Sequence, residues 1–415
     1  MATPNAEMNV LSVLTQLSIM LAFGLIARVA ANKSGIPFPL ILIIGGTMLA
    51  SLSLLNLPSL GVLPELFRVI ALIIVVFSSG FYLKFADIKK EYTTVLYLAT
   101  VGVLITVLTI TAVTTFFLEL PLLVAVFLGA VLGGTDPAAL ASEMRKRPSK
   151  IQTIIMSEAI FNQPMTVILP LIILEYLTKE VHIPAWLAGT IFAGKFVMLV
   201  AVGFAVGLAG FYFGQRLFEY FKEGYEEIVG LMLALGVYVV AENVGGSGIL
   251  AVGVMSILLN SSRRISKDVG FLIFKKFNRE IAFIFTVFVF VMLGAQFSVK
   301  TLTELSISRA EIITIVFAIF LARFLSVNIT TYKSDLTFSE KLKLSFISPK
   351  GLSPAAMAPL VLGKIETTQA FTVLKIVFLA IILSIAISLV VVSFTTPKEI
   401  RRAKVDAGKE LKADL

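Results

Sequence analysis

Three short stretches hold the residue types that could do chemistry, and each is set in apolar sequence. The first is Gly133-Gly134-Thr135-Asp136-Pro137, the second "SEAIFNQPMTVILP" at 157–170, and the third Ser348-Pro349-Lys350-Gly351-Leu352-Ser353-Pro354. Paired glycines and a proline unwind a helix, because glycine relaxes the backbone and proline cannot donate its hydrogen bond. An unwound segment at membrane depth exposes carbonyls and amides, and is tolerated only where it faces protein or a wet cavity. Asp136 at such a break is placed to bind a cation. Glu158 and Asn162 are four positions apart and share a helix face, with Gln163 beside them. Pro164 frees the carbonyl of Ile160 near that face. Lys350 either offsets the negative end of a helix or pairs with a carboxylate. An isolated charge at the bilayer centre costs about 2.5–3.5 kcal/mol on insertion scales, so it needs a partner, and Asp136 and Glu158 are the candidates. The alternatives are a purely structural ion pair pinning two broken helices, and hydrogen bonding between helices by buried polar residues.

The elements that must position these groups are membrane helices. The chain has 415 residues, of which 58% are hydrophobic and 15% charged. Its mean hydropathy is +0.96, and a soluble protein of this size carries about 25% charged residues. Continuous apolar runs, longer than the alternating segments of a transmembrane barrel, predict an all-α polytopic membrane protein. Spans are expected near 9–30, 36–55, 66–84, 93–117, 121–142, 151–176, 184–213, 226–242, 244–260, 280–297, 309–332, 343–362 and 368–396, about thirteen helices. The turn Asn243–Gly248 is short enough to be a break inside one bent hairpin. Met1–Met8 lacks a basic region, so the first apolar segment is expected to be kept as a helix.

Basic residues collect in alternate loops: Arg28 and Lys33; Lys84, Lys89 and Lys90; Arg145, Lys146, Arg147 and Lys150; Arg216 and Lys222; the group from Arg263 to Arg279; then Lys333, Lys341 and Lys343. Basic loops face the cytoplasm, which puts the N-terminus outside and a short tail at 397–415, with Lys398, Arg401, Arg402 and Lys404, inside. With the seventh helix set aside, six helices precede it and six follow, an arrangement of inverted repeats. Secondary transporters of that kind bind substrate at broken helices near the midplane. The glycine- and proline-broken helices are the fifth of each half.

Other polar residues carry less. Arg323, in "FLARFLSVN", is expected to be a structural charge, because guanidinium keeps its proton. Glu242 ends a helix and reads as solvated; Lys195 and Lys375 snorkel or face a cavity; His182 reads as a surface residue. Gly203, Gly207, Gly210 and Gly214 have small-xxx-small spacing, suited to internal packing or to a dimer contact. There are no cysteines. No phosphate-binding loop, nucleophile elbow or metal-ligand constellation is visible, so no enzyme activity, resident metal or cofactor is expected. The net charge of +9 is spent on loops, and nucleic acid is not an expected partner.

Taken in order, "GGTDPAAL", "SEAIFNQP", "AENVGGSGILAVGV", "FLARFLSV" and "SPKGLSPAAMAP" resemble the monovalent cation–proton antiporters, the NhaP-like branch above all. The resemblance covers essentially the whole transmembrane region. It implies a thirteen-helix inverted-repeat fold and a homodimer that exchanges sodium or potassium for protons by competition at shared carboxylates. It also implies an interface domain at 9–90 and 179–300, the latter including the linker helix, and a core transport domain at 91–178 and 301–396. Carried over by motif, Thr135 and Asp136 line the unwound fifth helix, Glu158 forms the buried ion pair of the core, and Asn162 bridges the crossed helices. The usual arginine partner of that glutamate falls at Lys350. The chain departs from the family at Gln163, where an aspartate is the principal carrier, at Ala159 in place of a serine, and at Ser78 and Ser79 in place of an acid-bearing stretch.

Gln163 cannot release a proton near physiological pH. Exchange then falls to Asp136 or Glu158 coupled to Lys350, whose ammonium, unlike guanidinium, can give up a proton. The competing readings are a regulatory member without transport, and a carrier of another solute on the same fold.

Overall fold

The computed structural model describes residues 10–34, 36–136, 150–178, 185–221, 225–262, 269–297 and 308–395. Pro137, Arg145, Lys146, Arg147, His182, Lys222, Arg263, Arg264, Lys267 and the tail at 397–415 lie outside them. Every regular element among the described residues is helical. Lipid dictates this outcome: a backbone without water must satisfy its amides and carbonyls within the segment. The principal helices are α1 (Val10–Ser34), α2 (Phe38–Ser51), α3 (Leu63–Gly80), α4 (Tyr92–Leu118), α5 (Leu122–Val131), α6 (Lys150–Phe161), α7 (Gln163–Thr178) and α8 (Ala185–Tyr220). They continue with α9 (Glu226–Asn243), α10 (Gly248–Ser261), α11 (Val269–Ala295), α12 (Arg309–Thr330), α13 (Phe338–Phe346), α14 (Leu352–Met357) and α15 (Thr367–Thr395). Among the described residues, eight apolar helical stretches are long enough to cross a bilayer, α6 and α7 together forming one of them, and shorter apolar helices fill the intervals.

Local chemistry sets the helix starts. Ser308 and Glu311 form a capping box at the start of α12, and Thr337 and Glu340 form another at α13. Prolines stand at the N-terminal edges of α2, α3 and α5, where the missing amide proton costs nothing. α4 carries a π-helical turn at Leu98–Gly102 where it packs on α12.

Several boundaries differ from the sequence expectation. The helix expected over 280–297 begins at Val269: its first turns bury Phe271, Phe274 and Asn278, and Lys275 lies over the Phe271 ring and donates to Asn260 Oδ1 at 2.5 Å. The helix expected to end at 213 runs to Tyr220. The turn at 243–248 separates two helices: Gly245 takes a φ of 78°, Gly246 N–H returns to the Ala241 carbonyl at 2.7 Å, and Glu242 accepts from Gly248 N–H at 2.8 Å. Glu242 is therefore a helix-start acceptor. The region expected as one span over 343–362 is divided into α13, an extended run at 347–351, and α14.

The glycine stripe of α8 packs inside the chain. Gly203 and Gly207 lie against Ser247 and Ala251 of the α10 start, while Gly210 and Gly214 lie against Val237 and Leu233 of α9. Lys375 of α15 meets Glu311 of α12 at 2.6 Å.

Candidate functional site

The two broken segments meet, and each supplies what the other's helix end lacks. α5 stops at Val131, and the chain runs irregularly through Gly133-Gly134-Thr135-Asp136. Asp136 N–H donates to the Pro349 carbonyl at 3.1 Å, which joins the two breaks backbone to backbone. The Asp136 Oδ2 accepts from the amides of Leu352 and Ser353, the latter at 3.3 Å. Those amides open α14, carry no intrahelical partner and form the positive end of its dipole. Gly351 is required at the crossing: a Cβ there would lie 2.9 Å from Asp136 Cγ.

Lys350 answers at the opposite end. Its Nζ donates to the Gly134 carbonyl at 2.8 Å, beyond the C-terminus of α5, where carbonyls are orphaned and the dipole is negative. Its backbone N–H donates to Ser384 Oγ of α15 at 2.9 Å. Asp136 and Lys350 are 1% and 2% exposed.

Glu158 is placed by α6 and is engaged by Arg323 of α12. The guanidinium donates through Nη1 to Oε1 at 2.5 Å and through Nη2 to Oε2 at 2.7 Å, the bidentate geometry that carboxylate and guanidinium share. Arg323 Nε donates to the Leu344 carbonyl of α13 at 3.1 Å. Both side chains are buried. One turn on, Asn162 lies at the joint of α6 and α7 and donates from Nδ2 to Thr135 Oγ1 at 3.2 Å. Gln163 donates from Nε2 to the Ala159 carbonyl at 3.0 Å and accepts at Oε1 from Ser353 Oγ at 2.8 Å.

The structure thus brings Thr135, Asp136, Asn162, Gln163 and Lys350 to one crossing, with the Glu158–Arg323 pair beside Asn162 on α6. Of the two expectations for Lys350, the helix-end one is met, since the ammonium bonds a carbonyl beyond the end of α5, and the pairing with a carboxylate is not, since Glu158 belongs to Arg323. The physical reason is geometric fit, since a planar fork matches a carboxylate at two points while an ammonium matches a helix end. Sequence reasoning misses Ser353 and Ser384, which are ordinary serines in an apolar context. Arg323, expected as a structural charge, is the partner that the sequence reading places at Lys350. Four buried oxygens on these segments or their neighbours have no hydrogen-bond partner: Asn162 Oδ1, Ser157 Oγ, Ser326 Oγ and Ser348 Oγ.

A cavity of about 550 Å³ lies elsewhere, between α1, α3 and α11, lined by Ser78, Tyr82, Arg28 and Arg279 with apolar neighbours. None of the crossing residues lines it.

Chemically, the crossing offers two buried charges held on helix ends, a buried ion pair, and amide and hydroxyl oxygens between them. A family model described as sodium/hydrogen exchanger, transmembrane, matches residues 18–396. The chain is 27% identical to the low-affinity Na(+)/H(+) antiporter NhaS1 of Synechocystis over 71% of its own length and 56% of that protein's. It is 27% identical to the probable Na(+)/H(+) antiporter 2 of Methanocaldococcus jannaschii over 92% of its length and 95% of that protein's. It is 24% identical to the K(+)/H(+) antiporter NhaP of Alkalimonas amylolytica over 82% of its length and 59% of that protein's. The solved structure of the sodium proton antiporter MjNhaP1 from Methanocaldococcus jannaschii shares the fold, with a TM-score of 0.78, 24% identity, and coverage of 91% of this chain and 96% of that one.

Proposed function

The chain belongs to the sodium/hydrogen exchanger family, and on that premise we propose that it is a secondary transporter exchanging a monovalent cation, sodium or potassium, for protons by alternating access at the crossing. The observation that carries this reading is the reciprocal pairing of Asp136 with α14 and of Lys350 with the end of α5. Such an arrangement stores charge at two interrupted helices around one buried point, where an ion can replace a helix-end partner without stranding a charge. Asp136 or Glu158, coupled to Lys350, exchanges protons against the cation, while Thr135, Asn162 and Gln163 line its position. Arg323 holds Glu158 in place.

The packing supports a division into two units. α4, α5 and α7 pack among themselves, with α12, α14 and α15 against them, which fits a core domain at 91–178 and 301–396. α2, α3, α8, α9, α10 and α11 pack with one another, which fits an interface domain at 9–90 and 179–300. Motion of the first unit against the second opens the crossing to each side in turn. The protein acts as a homodimer in a plasma or inner membrane, with its N-terminus outside and C-terminus in the cytoplasm, an orientation that the basic loops support. The two six-helix halves form inverted repeats about the linker α8.

Proton flux in proteoliposomes tests the site. Asp136→Asn and Glu158→Gln are each expected to reduce cation-driven proton movement strongly. Unchanged exchange in both variants would sink the proposal.

A further inference from the structure

Arg68 of α3 is a membrane-embedded charge that takes no part in the ion pairing of the crossing. It stands in the second turn of its helix, is half-buried, and is the only basic residue there. A guanidinium within a span is costly and needs a partner at its own depth. It finds one at the far end of α14, where its Nη1 donates to the Ala356 carbonyl at 3.4 Å. The sequence favours that carbonyl as an acceptor. Pro359, three positions on, has no N–H to return to it in the 3-10 turn Ala358–Val361 that follows α14.

α14 is thereby bracketed by two charges, each on the end of the dipole that suits its sign. Asp136 holds the first amides and Arg68 the last turn. The two are anchored differently. Asp136 belongs to the core unit. Arg68 belongs to the interface unit, and its neighbour Phe67 stacks on Phe288 of α11, ring centroids 4.7 Å apart. α14 packs on α3 and α11 on one side and on α7 and α15 on the other, so it lies at the boundary between the units. With the N-terminus outside, α3 starts at the outer surface and α14 runs outward from the crossing, which sets the contact on the outer side. A separation of 3.4 Å is long for a hydrogen bond. Much of the attraction is that of a cation for a helix end, and it is given up without breaking a short, aligned bond.

Resting on the antiport reading above, we propose that Arg68 is a positioning residue that latches the core unit to the interface unit on the outer side of the crossing. While the guanidinium holds the end of α14, the outer path is shut. Motion of the core unit draws α14 away from α3, so the contact is broken and remade in every cycle. Arg68 touches neither the ion nor the proton carriers. It sets how the protein divides between the conformer with the contact and the one open to the outside. A contact made in one of two states biases their populations by its own free energy.

The chain has no cysteine, so a pair of spin labels can be placed without touching a native thiol. Val62→Cys, just before α3, and Lys364→Cys, beyond α14, put one exposed label on each unit. Pulsed electron-resonance distances in the full-length protein in liposomes report the separation on the outer side. One shorter distance is expected to dominate with Arg68 in place. In Arg68→Met the ratio of longer to shorter distances is expected to rise by roughly five- to thirtyfold. Arg68→Lys, which keeps the charge, is expected to raise it less. Should Arg68→Met not remain monodisperse, Arg68→Gln is expected to give the same rise and decides in its place. An unchanged ratio, with or without a lower unfolding midpoint, overturns the latch and leaves Arg68 a packing residue. The two readings fail separately. A raised ratio with no cation-driven proton movement in the unaltered protein defeats antiport, and an unchanged ratio with that movement intact defeats the latch alone.

Discussion

Glu158 and Arg323, 165 positions apart in the chain, are joined by two parallel hydrogen bonds of 2.5 and 2.7 Å inside the bundle. Removing one partner of a buried pair leaves an uncompensated charge, at a cost of about 3–5 kcal/mol. Arg323→Met is therefore expected to lower the midpoint of thermal unfolding, followed by size-exclusion in detergent. Glu158→Gln combined with Arg323→Met is expected to recover most of the loss, because no stranded charge remains. A double variant as unstable as the sum of the singles would mean that the pair contributes through packing instead.

Asp136 caps α14 across the crossing, so its loss should loosen that helix. Asp136→Ala is expected to cost about 1–2 kcal/mol, the range of a lost N-cap, whereas Asp136→Asn keeps a side-chain acceptor and costs less. Gly351→Ala pushes a methyl against the carboxylate, 2.9 Å from Asp136 Cγ. It should therefore add little once Asp136 is alanine. Hydrogen exchange at the Leu352 and Ser353 amides reports this directly. Equal protection in the unaltered protein and in Asp136→Ala would contradict the cap.

These contacts mark where sequence reading stops. The helical class and the broken segments are legible because lipid forces long apolar runs, and glycine and proline show where a run cannot stay helical. Asp136, Glu158, Asn162 and Lys350 are legible because polar groups in such runs need partners. Partner choice is another matter. Lys350 bonds a backbone carbonyl, and Asp136 bonds backbone amides, groups that every residue carries and no residue type announces. Arg323 reads as a structural charge and Glu158 as a partner of Lys350, whereas the planar guanidinium takes the carboxylate at two points. The short α5 and the divided α13–α14 segment follow the same logic, since the helix ends they expose are satisfied only from the other half of the chain.

Outside the membrane-spanning helices, the α13 cap gives a pH dependence. The Thr337 backbone N–H, then its hydroxyl, hold the Glu340 carboxyl below the usual carboxylate range. A carboxyl held low contributes stability above its ordinary pKa and loses it as pH falls through the lowered value. Amide exchange in the first turn of α13 is expected to stay slow at neutral pH and to quicken under acid conditions below that range. Glu340→Gln is expected to flatten the profile. Protection that rises as pH falls would have the wrong sign.

Coupled exchange of a cation for protons changes the pH inside a sealed liposome. Purified protein in liposomes carrying an acid-inside proton gradient and an entrapped pH dye is challenged with an external pulse of potassium or sodium chloride. The expected result is rapid cation-dependent alkalinisation of the lumen, saturating with cation concentration and abolished by Asp136→Ala. A lumen that holds its pH under both pulses, as protein-free liposomes do, would contradict the account.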